Sequence, residues 1–249
     1  MKIIVFNNKR LYIYMHLSYD LTPVERIKGL VIPQEINEDL AYFCGVLAGD
    51  GSIGYNAKKK HWWIKCIGNP RDEMEFYDYQ IKTLIKKLFN LDVKMKLHDR
   101  GTCYGFTISS RSLVRYFTEF IGLPLGKKYD TLKIPNILIK GGLVKPFICG
   151  VADTDFHLAI KRKNYPVIVG VSKSRAFINE IGNFLKGLEF NFCVYKRSYY
   201  DKRFGKSTVN YAIQISGHKF FGKWMKEIGL KHPKNKEKIN FLGNINSGG

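Results

Sequence analysis

The chain has 249 residues, of which 45% are hydrophobic and 14% aromatic, so it is long enough to bury the core of one large domain or two smaller ones. Its formal net charge is +20, a value typical of proteins that bind a polyanion, either nucleic acid or an anionic membrane. No apolar run approaches the roughly 20 residues of a membrane-spanning helix, and the charged N-terminus lacks the pattern of a signal peptide, which disfavours a membrane protein.

The most informative feature of the sequence is an internal repeat. FCGVLAGDG at 43–51 returns as ICGVADTDF at 148–156, so that Asp50 matches Asp155. Two further pairs of segments match in the same order, namely LIKKL (84–88) with FLKGL (184–188) and YGFTISSRSLVRYFTEFIGL (104–123) with YAIQISGHKFFGKWMKEIGL (211–230). The offset between the copies changes only across polar stretches, as expected of a duplicated fold that tolerates insertions in loops.

Each copy predicts the same elements in chain order. An apolar helix ends at the Asp motif, and a hairpin, an amphipathic helix, a second hairpin and a final helix follow it. The first hairpin is predicted at Ser52–Tyr55 and Trp62–Ile67, and its counterpart at His157–Lys161 and Val167–Ser172. The predicted fold is therefore α+β, with the order α-β-β-α-β-β-α occurring twice. The predicted divisions are an N-terminal extension at 1–37, a first half at 38–142 and a second half at 143–249.

The alternation of side chains along the strands indicates a basic face in each half. In Val93–His98 the odd positions, which include Leu97, are apolar and predicted to face inward. The even positions are basic or polar and predicted to face solvent. In the second half, Phe192 and Val194 are predicted to face inward. The candidate DNA contacts are Lys65, Lys94, Lys96, His98, Lys161, Tyr195, Arg197 and Tyr199. An ordinary solvated face is the alternative, but charge of one sign interleaved with aromatics favours nucleic acid.

The two matched aspartates are the candidate catalytic residues. Both follow a helix that carries small residues, Cys44 and Gly45 in the first copy and Cys149 and Gly150 in the second. Small residues allow helices to pack closely, and such packing would bring two carboxylates and two negative helix ends together. This arrangement requires a cation, and oxygen ligands select Mg²⁺, Mn²⁺ or Ca²⁺ rather than zinc.

An aspartate after a helix is more commonly a turn or cap residue, but recurrence in register favours shared chemistry here. Asp153 also lies in the second motif. Because its repeat partner is Ala48, the symmetric role is assigned to Asp155.

The two motifs, the repeat and the charge together resemble the LAGLIDADG homing endonucleases of the single-chain, two-motif branch. In that pattern small residues line the seam between two helices, and the eighth position, here Asp50 and Asp155, is the metal-binding acid. The resemblance implies saddle-shaped antiparallel sheets that lie in the DNA major groove. It also implies site-specific cleavage of long, asymmetric double-stranded targets, leaving short 3′ overhangs. The expected cofactor is Mg²⁺, with Mn²⁺ or Ca²⁺ able to substitute for binding, and the expected further metal-site residues are Gly49 and Thr154.

The resemblance also implies further catalytic positions. A polar residue ends the second strand of each half, where Asn69 and Lys173 lie. A basic residue near the end of the fourth strand corresponds to Arg111, and its counterpart is His218. The sequence departs from the motif at Phe156, where the first copy keeps Gly51.

Two rival functions remain open. A non-cleaving protein of the same fold, such as an intron RNA maturase or a DNA-binding regulator, usually lacks one acid, so the presence of both favours the enzyme. A basic structural or ribosome-associated protein would explain the charge but not the paired motif. Because the duplication supplies what a homodimer would supply by association, a monomer with no protein partner is expected.

Cysteine usage and the chain ends bear on where the protein acts. Five cysteines without a Cys-x-x-Cys pair argue against a zinc site or a disulfide framework and indicate a reducing, intracellular compartment. Some members of the family lie inside inteins. The absence of a nucleophile at residue 1 and of a terminal His-Asn pair instead favours an intron-encoded or free-standing protein.

Overall fold

The fold is taken from a computed structural model, which describes residues 3–7, 10–14, 21–129, 131–201 and 205–246. Its contacts define two compact units. The first unit comprises 1–126 and 135–154, and the second comprises 127–134 and 155–249. These units are not the sequence repeats, since most of the helix that opens the second repeat packs with the first unit. The division into repeat halves therefore stays a prediction. Within the described ranges, no helix is long and apolar enough to cross a membrane.

The first unit begins with a small sheet and a short helix. Strands β1 (Ile3–Asn7), β2 (Arg10–Tyr14) and β3 (Glu35–Ile36) pair in that order, and helix α1 (Pro23–Ile27) lies between β2 and β3 in the chain. Thr22 caps α1 through a capping box with Glu25.

A buried carboxylate fastens this extension to the body of the first unit. Glu25 accepts hydrogen bonds from the Thr22 N–H at 2.8 Å, the Ser112 N–H at 3.1 Å and the Ser112 hydroxyl at 2.8 Å, and it also accepts one from the Ser110 hydroxyl. Burial alone would raise the pKa of Glu25, but these hydrogen bonds outweigh burial and lower the pKa to about 2. The extension is thus tied to a segment more than eighty residues away.

The rest of the first unit builds one four-stranded antiparallel sheet and the helices that cover one of its faces. Its elements are α2 (Glu38–Gly49), β4 (Gly51–Asn56), β5 (His61–Gly68), α3 (Pro70–Glu75), a π-helical turn (Phe76–Ile81), α4 (Lys82–Phe89), β6 (Lys96–His98), β7 (Cys103–Ile108), α5 (Arg111–Arg115), a second π-helical turn (Tyr116–Ile121), α6 (Asn136–Lys140) and α7 (Val144–Asp155). The strand order is β4-β5-β7-β6. An aromatic cluster around Phe43 joins helices to sheet, with ring centroids 5.5 Å from Phe89 and 6.4 Å from Phe106.

The second unit repeats this arrangement. Its elements are β8 (Phe156–Lys161), β9 (Tyr165–Ser172), α8 (Arg175–Gly187), β10 (Phe192–Asp201), β11 (Lys206–Ser216), α9 (His218–Glu227) and α10 (Lys236–Asn246). The strand order is β10-β11-β9-β8, and Phe156 packs 5.9 Å from Trp224 of α9. The predicted α+β fold with two copies of α-β-β-α-β-β-α is confirmed. Helix α10 follows the second copy and lies outside the predicted elements.

Two strand predictions are wrong in detail. Strand β6 covers only Lys96–His98, and Leu97, predicted to face inward, is 57% exposed because β6 is the sheet edge. Val194, also predicted to face inward, is 41% exposed on β10, an edge strand of the second four-stranded sheet. On an edge strand, a side chain that points to the helical side can lie beyond the helices and stay in solvent.

Candidate functional site

Helices α2 and α7 approach each other through glycine. A Cβ atom added at Gly45 would overlap the carbonyl oxygen of Phe147, and one added at Gly150 would overlap that of Tyr42. Both contacts are to backbone atoms, so a larger residue could be accommodated only if the helices moved apart. Cys44 and Cys149, the other two predicted interface residues, are buried. The two glycines therefore lie where these helices meet, and the assignment of Cys44 and Cys149 to the same contact stays a prediction.

A buried hydrogen bond crosses the same helix pair. The Tyr42 hydroxyl donates to Asp153 Oδ2 at 2.6 Å, and both side chains are buried. Burial and then the Asp153 charge raise the pKa of Tyr42, so its hydroxyl stays protonated and able to donate. Asp153 thus has a structural partner, and its repeat equivalent, Ala48, has no side chain that could play the same part.

Asp50 lies at the carboxyl end of α2. It is the C-cap residue, its N–H bonds the Val46 carbonyl at 3.1 Å, and its side chain is half-buried. The Tyr77 hydroxyl donates to Asp50 Oδ2 at 3.2 Å. Because the last carbonyl groups of a helix carry partial negative charge, this position favours a cation beside the carboxylate.

Asp155 is the last residue of α7 and is also half-buried. The Thr154 hydroxyl donates to the carbonyls of Gly150 and Val151, at 3.2 and 3.0 Å, and therefore lies back along the helix. Gly49 can offer only its backbone carbonyl.

The donor chemistry at these helix ends fits a hard divalent cation. Among the residues that the structure describes, no group of three or more His, Cys, Asp or Glu could hold a metal ion. Carboxylate and backbone carbonyl oxygens are nevertheless the ligands that Mg²⁺ accepts. Mg²⁺ usually binds one or two protein carboxylates and takes its other ligands from water and substrate phosphates. The residues therefore suit a metal that is completed by a phosphate substrate.

Asn69 and Lys173 occupy equivalent places. Gly51, which follows Asp50, pairs with Cys66, and Asn69 comes three residues after Cys66. In the same way Phe156, which follows Asp155, pairs with Gly170, and Lys173 comes three residues after Gly170.

Both of these side chains have local contacts. Asn69 caps α3, accepting from the Arg71 N–H at 3.1 Å and donating to Asp72 Oδ2 at 3.1 Å. The Lys173 ammonium lies 4.5 Å from the centroid of the Tyr129 ring. Their catalytic assignment stays a prediction.

Arg111 does not lie beside Asp50, contrary to expectation. Strand β7 pairs Phe106 with Cys66, near Asp50, and then runs away from that end of the sheet before α5 begins at Arg111. The same reasoning applies to His218, the first residue of α9, because β11 pairs Ile213 with Gly170 and continues away from Asp155. Closeness to the fourth strand in the sequence does not place a residue near the acid, because the position in space also depends on the direction in which the strand runs.

The first sheet presents a polar outer face, meaning the face opposite Ile64 and Phe106. Lys65 lies on it between Ser52 and Thr107, and Lys96 is paired with Gly105 on the same face. Lys65 also forms an ion pair with Asp99 at 3.5 Å.

Two other predicted contacts of the first half behave differently. His98 shares the outer face but is half-buried, and its pKa is lowered by burial and then by Lys65. Lys94 is exposed but precedes the strand.

The hairpin of β4 and β5 adds aromatic and basic side chains that were not among the predicted contacts. On the outer face His61 stacks on Trp63 with ring centroids 5.8 Å apart. Tyr55 and Trp62, whose ring centroids are 4.0 Å apart, lie on the opposite face, the face of Ile64. The turn between β4 and β5 adds three exposed lysines, at 58–60. The signal is present in the run YNAKKKHWW, whose polar part reads as a loop insertion when only the repeat is considered. Aromatic and cationic side chains side by side are typical of nucleic-acid contacts.

The second sheet presents a partly covered outer face. Three of the predicted contacts are exposed on this face, namely Lys161, Tyr195 and Arg197. The side chain of Tyr199 lies outside the described residues. On the same face Val167, Val169 and Ala212 form a buried cluster.

The C-terminal segment contacts an edge strand of this sheet. Lys238 of α10 donates to the Leu158 carbonyl of β8 at 2.9 Å. His157, on the outer face, has its pKa lowered by burial and then by Arg197, Lys238, Lys234 and Lys161. Two of these cations, Lys234 and Lys238, come from a segment that the repeat does not include.

No family model matches the sequence. A curated relative belongs to the A-type ATP synthase of Pyrococcus abyssi, and this synthase subunit is 30% identical over 127 residues. That match covers 50% of this chain and 11% of the relative, so the chain spans only a small part of that protein's length.

Solved structures show similarity over most of the chain. The crystal structure of I-DmoI in complex with DNA and Ca has a TM-score of 0.55 at 16% identity, covering 82% of this chain and 97% of that one. The structure of I-DmoI with DNA and Mn has a TM-score of 0.53 at 19% identity, covering 78% and 98%. A structure of mesophilic variants of the homing endonuclease I-DmoI has a TM-score of 0.52 at 17% identity, covering 77% of this chain and 94% of that one. These neighbours are LAGLIDADG homing endonucleases of the single-chain type, and the predicted resemblance is confirmed for the fold.

Proposed function

We propose that this chain is a metal-dependent endonuclease that cuts a long, asymmetric site in double-stranded DNA, as homing endonucleases do. The observation that carries the proposal is the contact between Gly45 and Gly150, which packs α2 against α7. Asp50 and Asp155 each lie five residues beyond one of these glycines. Two equivalent acids at equivalent distances from one helix contact support a shared metal site.

In the proposed mechanism Asp50 and Asp155 would hold the divalent metal. Asp50 would do so from the end of α2, where Tyr77 donates a hydrogen bond to one of its oxygens. When bound, the metal supplies the activation of the attacking water and the stabilisation of the leaving oxygen. Mg²⁺ is the proposed cofactor, and the I-DmoI structures with Mn and Ca support divalent metal in general.

The outer sheet faces supply DNA affinity in this proposal. In the first unit, Lys65 and Lys96 point from one face together with Trp63. In the second unit, Lys161 and Arg197 occupy the corresponding face. Lysine and arginine that neutralise phosphates release counterions, and this release gives affinity without sequence preference.

A non-cleaving nucleic-acid-binding protein is the second candidate. The buried cluster of Val167, Val169 and Ala212 favours it, because the outer face of the second sheet is less open than that of the first. Such a protein would bind nucleic acid mainly through the first unit and would not depend on Asp50 and Asp155.

A selection from random DNA separates the two candidates. Duplexes that bind the protein in Ca²⁺ would be recovered and then incubated with Mg²⁺, Mn²⁺ or EDTA. The proposal expects double-strand cuts at a defined site in Mg²⁺ or Mn²⁺ and none in EDTA. Stable specific binding without a cut under any metal would support the binding protein instead. Light scattering of the free protein tests the proposed monomer, and an obligate dimer would contradict it.

A further inference from the structure

We infer that Tyr77 is a positioning residue for Asp50 and that the two acids are therefore held by different means. The inference rests on the proposed function, since Asp50 matters only if it serves a metal. Its basis is the hydrogen bond from the Tyr77 hydroxyl to Asp50 Oδ2 at 3.2 Å, which links the π-helical turn (Phe76–Ile81) to the end of α2.

The Tyr77 ring is fixed by its surroundings. It is fully buried, and its ring centroid lies 5.6 Å from that of Phe76 and 6.4 Å from that of Phe106. The Cys66 sulfur lies 3.5 Å from the Tyr77 oxygen and 3.9 Å from the Val46 carbonyl oxygen. A hydroxyl held in this way offers its proton in one direction at little further entropic cost.

The consequence for Asp50 is geometric. With Oδ2 engaged by Tyr77, the carboxylate cannot rotate freely, and the direction in which it faces a cation is fixed. Partners of this kind orient metal-binding carboxylates, and their loss typically costs about 10- to 100-fold in metal affinity or activity.

The second half cannot repeat this particular bond. The residue that matches Tyr77 in the repeat is Phe177, which is buried in α8 and has no hydroxyl. Helix α8 is also a continuous α-helix at this point, whereas the matching segment of the first half contains the π-helical turn. The two acids share a place in the repeat, but the support of Asp50 is specific to the first half.

The test compares Tyr77→Phe with Tyr104→Phe. The control removes a hydrogen bond of the same kind, from the Tyr104 hydroxyl to Asp78 Oδ1 at 2.7 Å, and this bond ends on the same π-helical turn. A general disturbance of the turn would therefore affect both variants, while loss of support for Asp50 would affect only Tyr77→Phe.

The first readout needs neither DNA nor catalysis. Mn²⁺ is titrated into the free protein, and the paramagnetic broadening of the backbone amide signals of Asp50 and Gly51 is followed by NMR. We expect Tyr77→Phe to require about tenfold more Mn²⁺ for half-broadening, or more, and Tyr104→Phe to match the wild type. Equal midpoints for the wild type and Tyr77→Phe would overturn the inference.

The second readout is cleavage of the selected target as a function of Mg²⁺. We expect the Mg²⁺ midpoint of Tyr77→Phe to rise by about the same factor, with DNA affinity in Ca²⁺ unchanged. If the wild type cuts and Tyr77→Phe has the wild-type midpoint, the inference fails while the proposed function stands. If the wild type neither cuts nor shows broadening at Asp50, the proposed function fails and the inference fails with it.

Discussion

The two four-stranded sheets have equivalent strand orders but differ in what lies on their outer faces. In β5 of the first sheet, buried Ile64 and Cys66 alternate with partly exposed Trp63 and Lys65. In β9 of the second sheet, five consecutive residues, at 166–170, are buried, so both faces of that strand are covered. A strand buried on both faces needs a continuous apolar run, and Pro-Val-Ile-Val-Gly-Val supplies one.

The two copies share the contact between their opening helices and differ in what surrounds it. The glycine contact between α2 and α7 is reciprocal, with each glycine against the backbone of the other helix. Around it the copies have diverged, since Tyr77 matches Phe177 in the repeat and Asp153 matches Ala48. Additions outside the repeat diverge further. The N-terminal extension is fastened to the rest of the first unit by Glu25, and α10 contacts β8 of the second unit.

The largest expected effect comes from breaking what the halves share. Gly150→Ala places a methyl group against the Tyr42 carbonyl, and because backbone must move, we expect a loss of about 3 kcal/mol or more in the free energy of unfolding. Gly222→Ala, within α9, is the matched control. Nothing lies within 4 Å of its added methyl group, so it should be neutral or stabilising by up to about 1 kcal/mol. Denaturant titration measures both, and equal stabilities would contradict the close helix contact.

The next effect concerns the extension, which has no equivalent in the second unit. The pKa of Glu25 is about 2 in the folded protein, below its ordinary value of 4.5. Its ionised form therefore stabilises the fold above pH 4.5, and this stabilisation is lost as the pH falls from 4.5 towards 2. It amounts to up to about 3 kcal/mol. Glu25→Gln should lower stability at pH 7 and flatten the pH dependence in that window. Glu75→Gln, at an exposed position, should do neither, and an unchanged pH profile in Glu25→Gln would contradict the role assigned to the hydrogen bonds.

The smallest expected effects test the two outer faces as DNA-binding surfaces. Lys96→Ala and Arg197→Ala should each weaken binding and reduce the slope of log affinity against log salt by about 0.9, the value for one phosphate contact. Lys82→Ala, exposed on α4 at the other side of the first sheet, should leave the slope unchanged. Filter binding over a range of salt concentrations measures this. A change for Lys96 alone would mean that only the first sheet binds DNA.

The features that occur in both copies of the repeat are the ones that can be predicted from the sequence. The repeated order of elements and the two acids follow from periodicity and register, which survive duplication. The bond from Tyr77 to Asp50 could not be predicted in this way. Helical spacing predicts that a tyrosine on the buried face belongs to the core, but it does not indicate which group its hydroxyl contacts. Glu25 is equally hidden: Thr22-x-x-Glu25 forms a capping box, but the bonds to Ser110 and Ser112 depend on contacts far along the chain.

Other features are present in the sequence but are easily misinterpreted. The apolar run of β9 indicates a strand covered on both sides, but the run itself does not identify the residues that cover it. Arg111 is placed in the sequence by its distance from the fourth strand, whereas its position in space depends on the antiparallel direction that β7 takes beside β5.

The proposed two-acid site is tested most directly by cleavage assays on single substitutions of the acids, with DNA binding measured in parallel. Asp50→Asn and Asp155→Asn should each abolish double-strand cleavage and leave binding intact, because a neutral amide is a far weaker ligand for a hard cation.

Asp153→Asn is the matched control from the same motif. An Asn oxygen can still accept the hydrogen bond from the Tyr42 hydroxyl, so this variant should keep cleaving. Loss of cleavage in Asp50→Asn and Asp155→Asn, but not in Asp153→Asn, is the result predicted for a shared two-acid metal site. If Asp50→Asn and Asp155→Asn cut as the wild type does in Mg²⁺, the two-acid mechanism is contradicted.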